Sequence, residues 1–94
     1  MDKALQLLGL IYKAKKLVLG EEVLNEIAKV QLLIIANDIS DKSKERLLKK
    51  AYYYHIDYLD CFSCKDLSKA LGKTNIKVIG ITDEGFKRSL LEKI

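Results

Sequence analysis

The run Leu32-Leu33-Ile34-Ile35 constrains this chain more than any other stretch. Successive side chains of a β-strand point to opposite faces, so a strand apolar at every position must be covered on both. A small sheet with helices on each side meets that demand. Gln31–Ala36 is therefore predicted as a central strand, and Asn37-Asp38-Ile39-Ser40 as a turn that leads into a helix cap.

Around that strand the apolar rhythm alternates between helical and strand-like spacing. Asp2–Lys15 reads as a helix, with Leu5, Leu8, Ile11 and Tyr12 on one side and Asp2 suited to its N-terminus. Leu17–Leu19 is a brief strand. Gly20 opens a second helix running to about Lys29, with Val23, Leu24 and Ile27 inward; Glu21 and Glu22 favour its first turn. A third helix, Asp41–Tyr54, turns Leu47, Leu48 and Ala51 inward. Tyr52, Tyr53 and Tyr54 are consecutive, so at most one or two can reach the core. Ile56–Leu59 is a short strand. Ser63 suits the cap of a fourth helix, Cys64–Leu71, which Gly72 ends. Lys77–Ile81 is a second buried strand, carrying Val78, Ile79 and Ile81. Thr82 or Asp83 then caps a fifth helix, with Phe86, Leu90 and Ile94 facing the sheet at i, i+4 and i+8. The expected fold is α/β: a three-layer α/β/α sandwich with a small mixed sheet, one domain over residues 1–94.

Composition agrees with one folded core. The 94 residues are 49% hydrophobic and 32% charged, without proline or internal repeats. No apolar stretch approaches the roughly 20 residues of a membrane-spanning helix. Met1-Asp2-Lys3 leads into a segment broken by Gln6, Gly9 and Lys13, unlike a secretory signal. A cytoplasmic protein with no membrane partner is expected, and its two cysteines should stay reduced. With no spare apolar helix face, it should be a monomer.

The net charge of +4 is modest, so its distribution matters more than its sum. One cluster is Lys13, Lys15 and Lys16, just before Gly20. Backbone N–H groups at a helix start beside lysines can seat a phosphate; the same lysines would also favour the C-terminus of the preceding helix. A second cluster, Lys42, Lys44, Arg46, Lys49 and Lys50, reads mainly as a solvated face with weak attraction for ribosomal RNA, and Glu45 can pair with Lys49 at i, i+4. Lys69, Lys73 and Lys77 make a third.

Cys61-Phe62-Ser63-Cys64 is a C-x-x-C motif at a helix start, where a thiol can become acidic enough for redox work. Zinc would need further ligands, and His55 is the only histidine. Two inert thiols are the plainer reading. The sequence carries no P-loop, G-x-G-x-x-G or nucleophile-elbow motif. We nominate no catalytic residue, no metal ligand and no cofactor.

Five segments in order resemble the superfamily of small kink-turn RNA-binding ribosomal proteins, and most closely its small bacterial YlxQ-type branch. They are Leu8–Glu22, Leu32–Asp38, Lys49–Ile56, Leu67–Lys73 and Ile81–Phe86. The resemblance implies an α/β/α sandwich and a non-catalytic RNA-binding protein associated with the ribosome or translation. It implies a structured RNA partner, a kink-turn or ribosomal RNA, and no DNA. In that family the start of the second helix enters the widened major groove at tandem sheared G·A pairs, and the loop before the last buried strand packs on an extruded base. Carried over, the helix start is Gly20, Glu21, Glu22 and Val23, with Lys15 and Lys16 leading in and Lys13 beside them. The loop is Lys73, Thr74, Asn75, Ile76 and Lys77, and Asn37 joins the candidate RNA-binding residues. Glu22-Val23 stand where strong kink-turn binders carry Asn-Glu or a basic and amide pair, and Glu26 stands near a family lysine. That departure motivates the alternative, a protein-interaction module on the same fold without tight RNA binding.

Overall fold

A four-stranded sheet, its strands in the order Leu17–Leu19, Val78–Ile81, Leu32–Ile35 and Asp57–Leu59, organises the molecule. The computed structural model describes residues 2–94; Met1, first residue of the expected domain, lies outside the described residues. The elements run α1 (Lys3–Lys13), β1 (Leu17–Leu19), α2 (Glu21–Asn25), a 3-10 turn (Ile27–Lys29), β2 (Leu32–Ile35), α3 (Asp41–Tyr53), β3 (Asp57–Leu59), α4 (Cys64–Leu71), β4 (Val78–Ile81) and α5 (Glu84–Leu91). β4 is antiparallel to β1 and β2, whereas β2 and β3 are parallel, so the sheet is mixed. Its register pairs Leu32 with Ile81 and Ile35 with Val78.

Alternation along β2 splits the core into two layers, as its apolar run requires. Leu32 and Ile34 join Ile79 and Ile81 under α1, α4 and α5, against Leu8, Ile11, Leu67 and Leu90. Leu33 and Ile35 face the other way and pack with Val78, Val23, Ile27, Val30, Leu47 and Ala51 under α2 and α3. On this second face Gly80 matters. A Cβ there would lie 2.9 Å from Val30 Cγ2 and 3.2 Å from Val18 Cγ2, so only glycine lets the α2 layer come down onto the sheet.

Side chains cap α1, α3, α4 and α5. Asp2 accepts from the Ala4 N–H at 2.7 Å, Ser40 from Ser43 at 3.3 Å, and Asp83 from Phe86 at 3.0 Å. Ser63 and Asp66 form a reciprocal capping box at the start of α4.

Two expectations need correction. The second helix stops at Asn25 rather than near Lys29: Glu26 leaves helical geometry and a 3-10 turn follows. That turn rises faster per residue than an α-helix, which carries the short connection to β2 while keeping Ile27 and Val30 buried. The fifth helix stops at Leu91, leaving Ile94 57% exposed. Its eight residues span about 12 Å, already the depth of the four-residue strand beneath it. Tyr52, Tyr53 and Tyr54 are all exposed, because Leu47, Ala51 and Ile56 fill the inward positions of that region.

Candidate functional site

α2 is the one described α-helix that no side chain caps. Its N-cap is Gly20, at φ 56°, ψ −130°, a region effectively restricted to glycine. A Cβ at Gly20 would meet nothing within 4 Å, so conformation alone requires the glycine. Without a capping oxygen, the Glu21 and Glu22 N–H groups are left for solvent or a ligand, while that of Val23 donates to the Gly20 carbonyl at 3.1 Å. The Gly20 N–H reaches the Val78 carbonyl at 3.4 Å, which fixes the α2 start against the beginning of β4.

That anchor brings the loop before β4 alongside. The Ile76 N–H donates to Ser68 Oγ at 2.8 Å, and the Lys77 carbonyl accepts from Ala36 N–H at 2.9 Å. Asn75 takes a left-handed φ of 58°, a conformation asparagine tolerates well. Between α2, α3 and this loop lies a groove of about 650 Å³. Gly20, Glu21, Leu24 and Asn25 form one wall, Ile39, Ser43, Arg46 and Leu47 the other, and Asn75, Ile76, Lys77 and Val78 the end. Apolar side chains line its depth, with amide, carboxylate and cationic groups around them. The donor set suits an anionic ligand that also offers a flat apolar surface.

Five of the sequence-nominated residues thus meet in one place: Gly20, Glu21, Asn75, Ile76 and Lys77. Asn37 lies at the same end of the sheet, its N–H bound to the Phe62 carbonyl, but outside the groove lining. Glu22 also lies outside that lining, and Val23 is fully buried, so Val23 cannot meet a ligand.

The lysine cluster does not sit beside the helix start as expected. Strand β1 intervenes: the Lys16 carbonyl accepts from the Thr82 N–H at the far end of β4, while Gly20 meets Val78 at the near end. Four residues of extended chain separate their backbones by roughly 13 Å. Lys13, Lys15 and Lys16 instead form a patch at the end of α1, where Lys73 joins them with its ammonium 5.7 Å over the Tyr12 ring. Lys15 closes α1 in the left-handed region at φ 59°, with its own N–H on the Tyr12 carbonyl and the Lys16 N–H on that of Ile11. Among the described residues, Lys13, Lys15, Lys16, Lys73 and Lys77 make no ion pair.

Ser68, Asn25 and Ser43 escaped the sequence reading, and Arg46 was read there only as part of a solvated basic face. Ser68 is the one buried polar residue among those described, and it pins the loop. Its signal was a hydroxyl on the apolar face of α4, between Leu67 and Leu71. Asn25 carried no local signal and Arg46 only that of a basic run, because only the packing of α2 beside α3 makes them neighbours.

The C-x-x-C motif supports no redox reading. Burial pushes the Cys61 thiol above its ordinary range, and Asp2 and Asp60 push the same way, so the reactive thiolate is disfavoured. Cys64 lies with Sγ 3.9 Å from Ser68 Oγ. Among the described residues no three His, Cys, Asp or Glu side chains converge as a metal site would require. No described helix is long and apolar enough to cross a membrane.

Residues 2–91 match the model of the ribosomal protein L7Ae/L30e/S12e/Gadd45 family. An RNA-binding protein YlxQ from Enterococcus faecium is 37% identical over 98 aligned positions, covering 99% of this chain and 92% of that protein. The RNA-binding protein YlxQ of Bacillus subtilis is 34% identical, covering 90% of this chain and 88% of its own. A solved protein of unknown function from Bacillus halodurans superposes with a TM-score of 0.92 at 35% identity, covering 98% and 96% of the two chains. The Giardia lamblia 15.5kD RNA binding protein shares the fold, with a TM-score of 0.77 at 21% identity over 94% and 78%.

Proposed function

The chain belongs to the ribosomal protein L7Ae/L30e/S12e/Gadd45 family, and from that premise we propose that it is a non-catalytic RNA-binding protein whose groove receives a kink-turn or similarly structured RNA. One observation carries the reading: the one described α-helix without a side-chain cap opens onto a groove that also holds Lys77 and Arg46. The Glu21 and Glu22 N–H donors and those cations suit phosphate oxygens. Leu24, Ile39 and Ile76 offer an apolar floor for a base. Asn25 and Asn75 can read base edges, and the Glu21 carboxylate can accept from guanine or cytosine amino groups. Lys13, Lys15, Lys16 and Lys73 make a second phosphate contact at the end of α1. The protein acts as a monomer on ribosomal or similarly folded RNA in the cytoplasm, and no residue carries a catalytic role.

Glu21 at the mouth of the groove favours a second reading, a protein-interaction module on this fold, because a carboxylate there repels phosphate. One titration separates the two. A fluorescein-labelled kink-turn RNA is titrated with the protein at two salt concentrations, beside a control RNA with its G·A pairs disrupted. RNA recognition predicts tight binding that needs the G·A pairs. Equal, weak and strongly salt-dependent binding to both RNAs would reduce the surface to a general polyanion site. No binding to either would put the protein-interaction reading first.

A further inference from the structure

Four of the five basic residues of α3 divide according to whether they have an acidic partner; the fifth, Lys42 in the first turn, makes no ion pair among the described residues and lies outside the groove lining. On the flank away from the groove, Lys44 holds Asp60 at 3.0 Å and Lys49 holds Glu45 at 3.3 Å. On the flank toward the groove, Ser43, Arg46 and Lys50 follow at i, i+3 and i+7, one row of a helix surface about 10 Å long. Arg46 and Lys50 are exposed and make no ion pair among the described residues. Ser43 and Arg46 already line the groove, so the row continues directly out of it. Charge of a single sign on one flank, beside balanced charge on the other, is what a polyanion backbone would select.

We propose that this flank of α3 is a phosphate track: an RNA strand leaving the groove runs along it, held at its phosphates by Arg46 and Lys50. The proposal rests on the RNA-binding reading and adds to it a contact region beyond the groove and the lysine patch at the end of α1. Guanidinium and ammonium groups there neutralise phosphate without reading sequence, so the track adds affinity and salt dependence rather than base specificity.

The test is a salt series of titrations with a long-armed, fluorescein-labelled kink-turn RNA, using the wild-type chain, Arg46→Gln/Lys50→Gln and Lys49→Gln. Circular dichroism confirms that each variant keeps its helix content. The double variant should bind roughly tenfold more weakly at low salt, with the slope of log affinity against log salt reduced by about two. Lys49→Gln, on the ion-paired flank, should match wild type. Arg46→Lys/Lys50→Arg, which keeps both charges, should restore the slope. A double variant with wild-type affinity and slope would overturn the track while leaving the RNA reading intact. A wild-type chain that binds no RNA would overturn both.

Discussion

The two faces of the sheet are finished to different standards. Under α1, α4 and α5 the layer is closed: each of these helices is capped by a side chain, and Leu8, Ile11, Leu67 and Leu90 are fully buried. Under α2 and α3 the cover is a five-residue helix, a 3-10 turn and one long helix, and a groove of about 650 Å³ remains between them. The closed face holds the fold together. The open face, with its uncapped helix start and unpaired cations, is where a ligand can bind without disturbing the core.

Breaking the closed face should unfold the protein without altering the site. Leu8→Ala removes a fully buried side chain and should cost about 2–5 kcal/mol in denaturant melts. The folded fraction should still bind RNA as wild type does. On the open face, stability and binding should fail together. Gly80→Val would push against Val30 and Val18, at about 1–3 kcal/mol for overpacking, and should lift α2 enough to reduce RNA affinity in the same titration. Gly20→Ala keeps the space but strains the backbone, at about 1–2 kcal/mol, and should weaken RNA binding by misplacing the first-turn donors. Asp83→Ala removes a cap on the closed face; it should cost about 1 kcal/mol with RNA affinity unchanged. Lys15→Gly sharpens the contrast in the opposite sense. It relieves a left-handed residue and should gain up to about 1 kcal/mol, because glycine meets no steric penalty there. The same change should reduce the salt dependence of RNA binding.

Legibility followed the same division. Caps and apolar periodicity are local signals, so Asp2, Ser40, Ser63 and the unbroken β2 run were readable directly, and the last cap was narrowed to Thr82 or Asp83. Helix ends were readable where glycine marks them, as at Gly72. They were less so at Lys15 and His55, which take the left-handed conformation without that marker. The length of α2 depended on Val23, Ile27 and Val30 all reaching a sheet lowered by Gly80, which no local window contains. At the site, Gly20 was marked by the sequence itself and the Asn75–Lys77 loop by the family resemblance, yet the lysines could not be placed. Proximity in sequence suggested one cluster around Gly20, whereas β1 carries Lys16 and Gly20 to opposite ends of β4. Arg46 entered the groove only through tertiary packing.

The most direct test of this division is an amide chemical-shift map of the labelled protein during titration with the kink-turn RNA. RNA binding in the groove predicts the largest shifts at Gly20, Glu21, Asn25, Arg46 and Asn75 through Val78, with smaller ones at Lys15 and Lys16 and almost none at the outward residues of α4 and α5. Shifts concentrated on α4 and α5, with the groove residues unmoved, would contradict it.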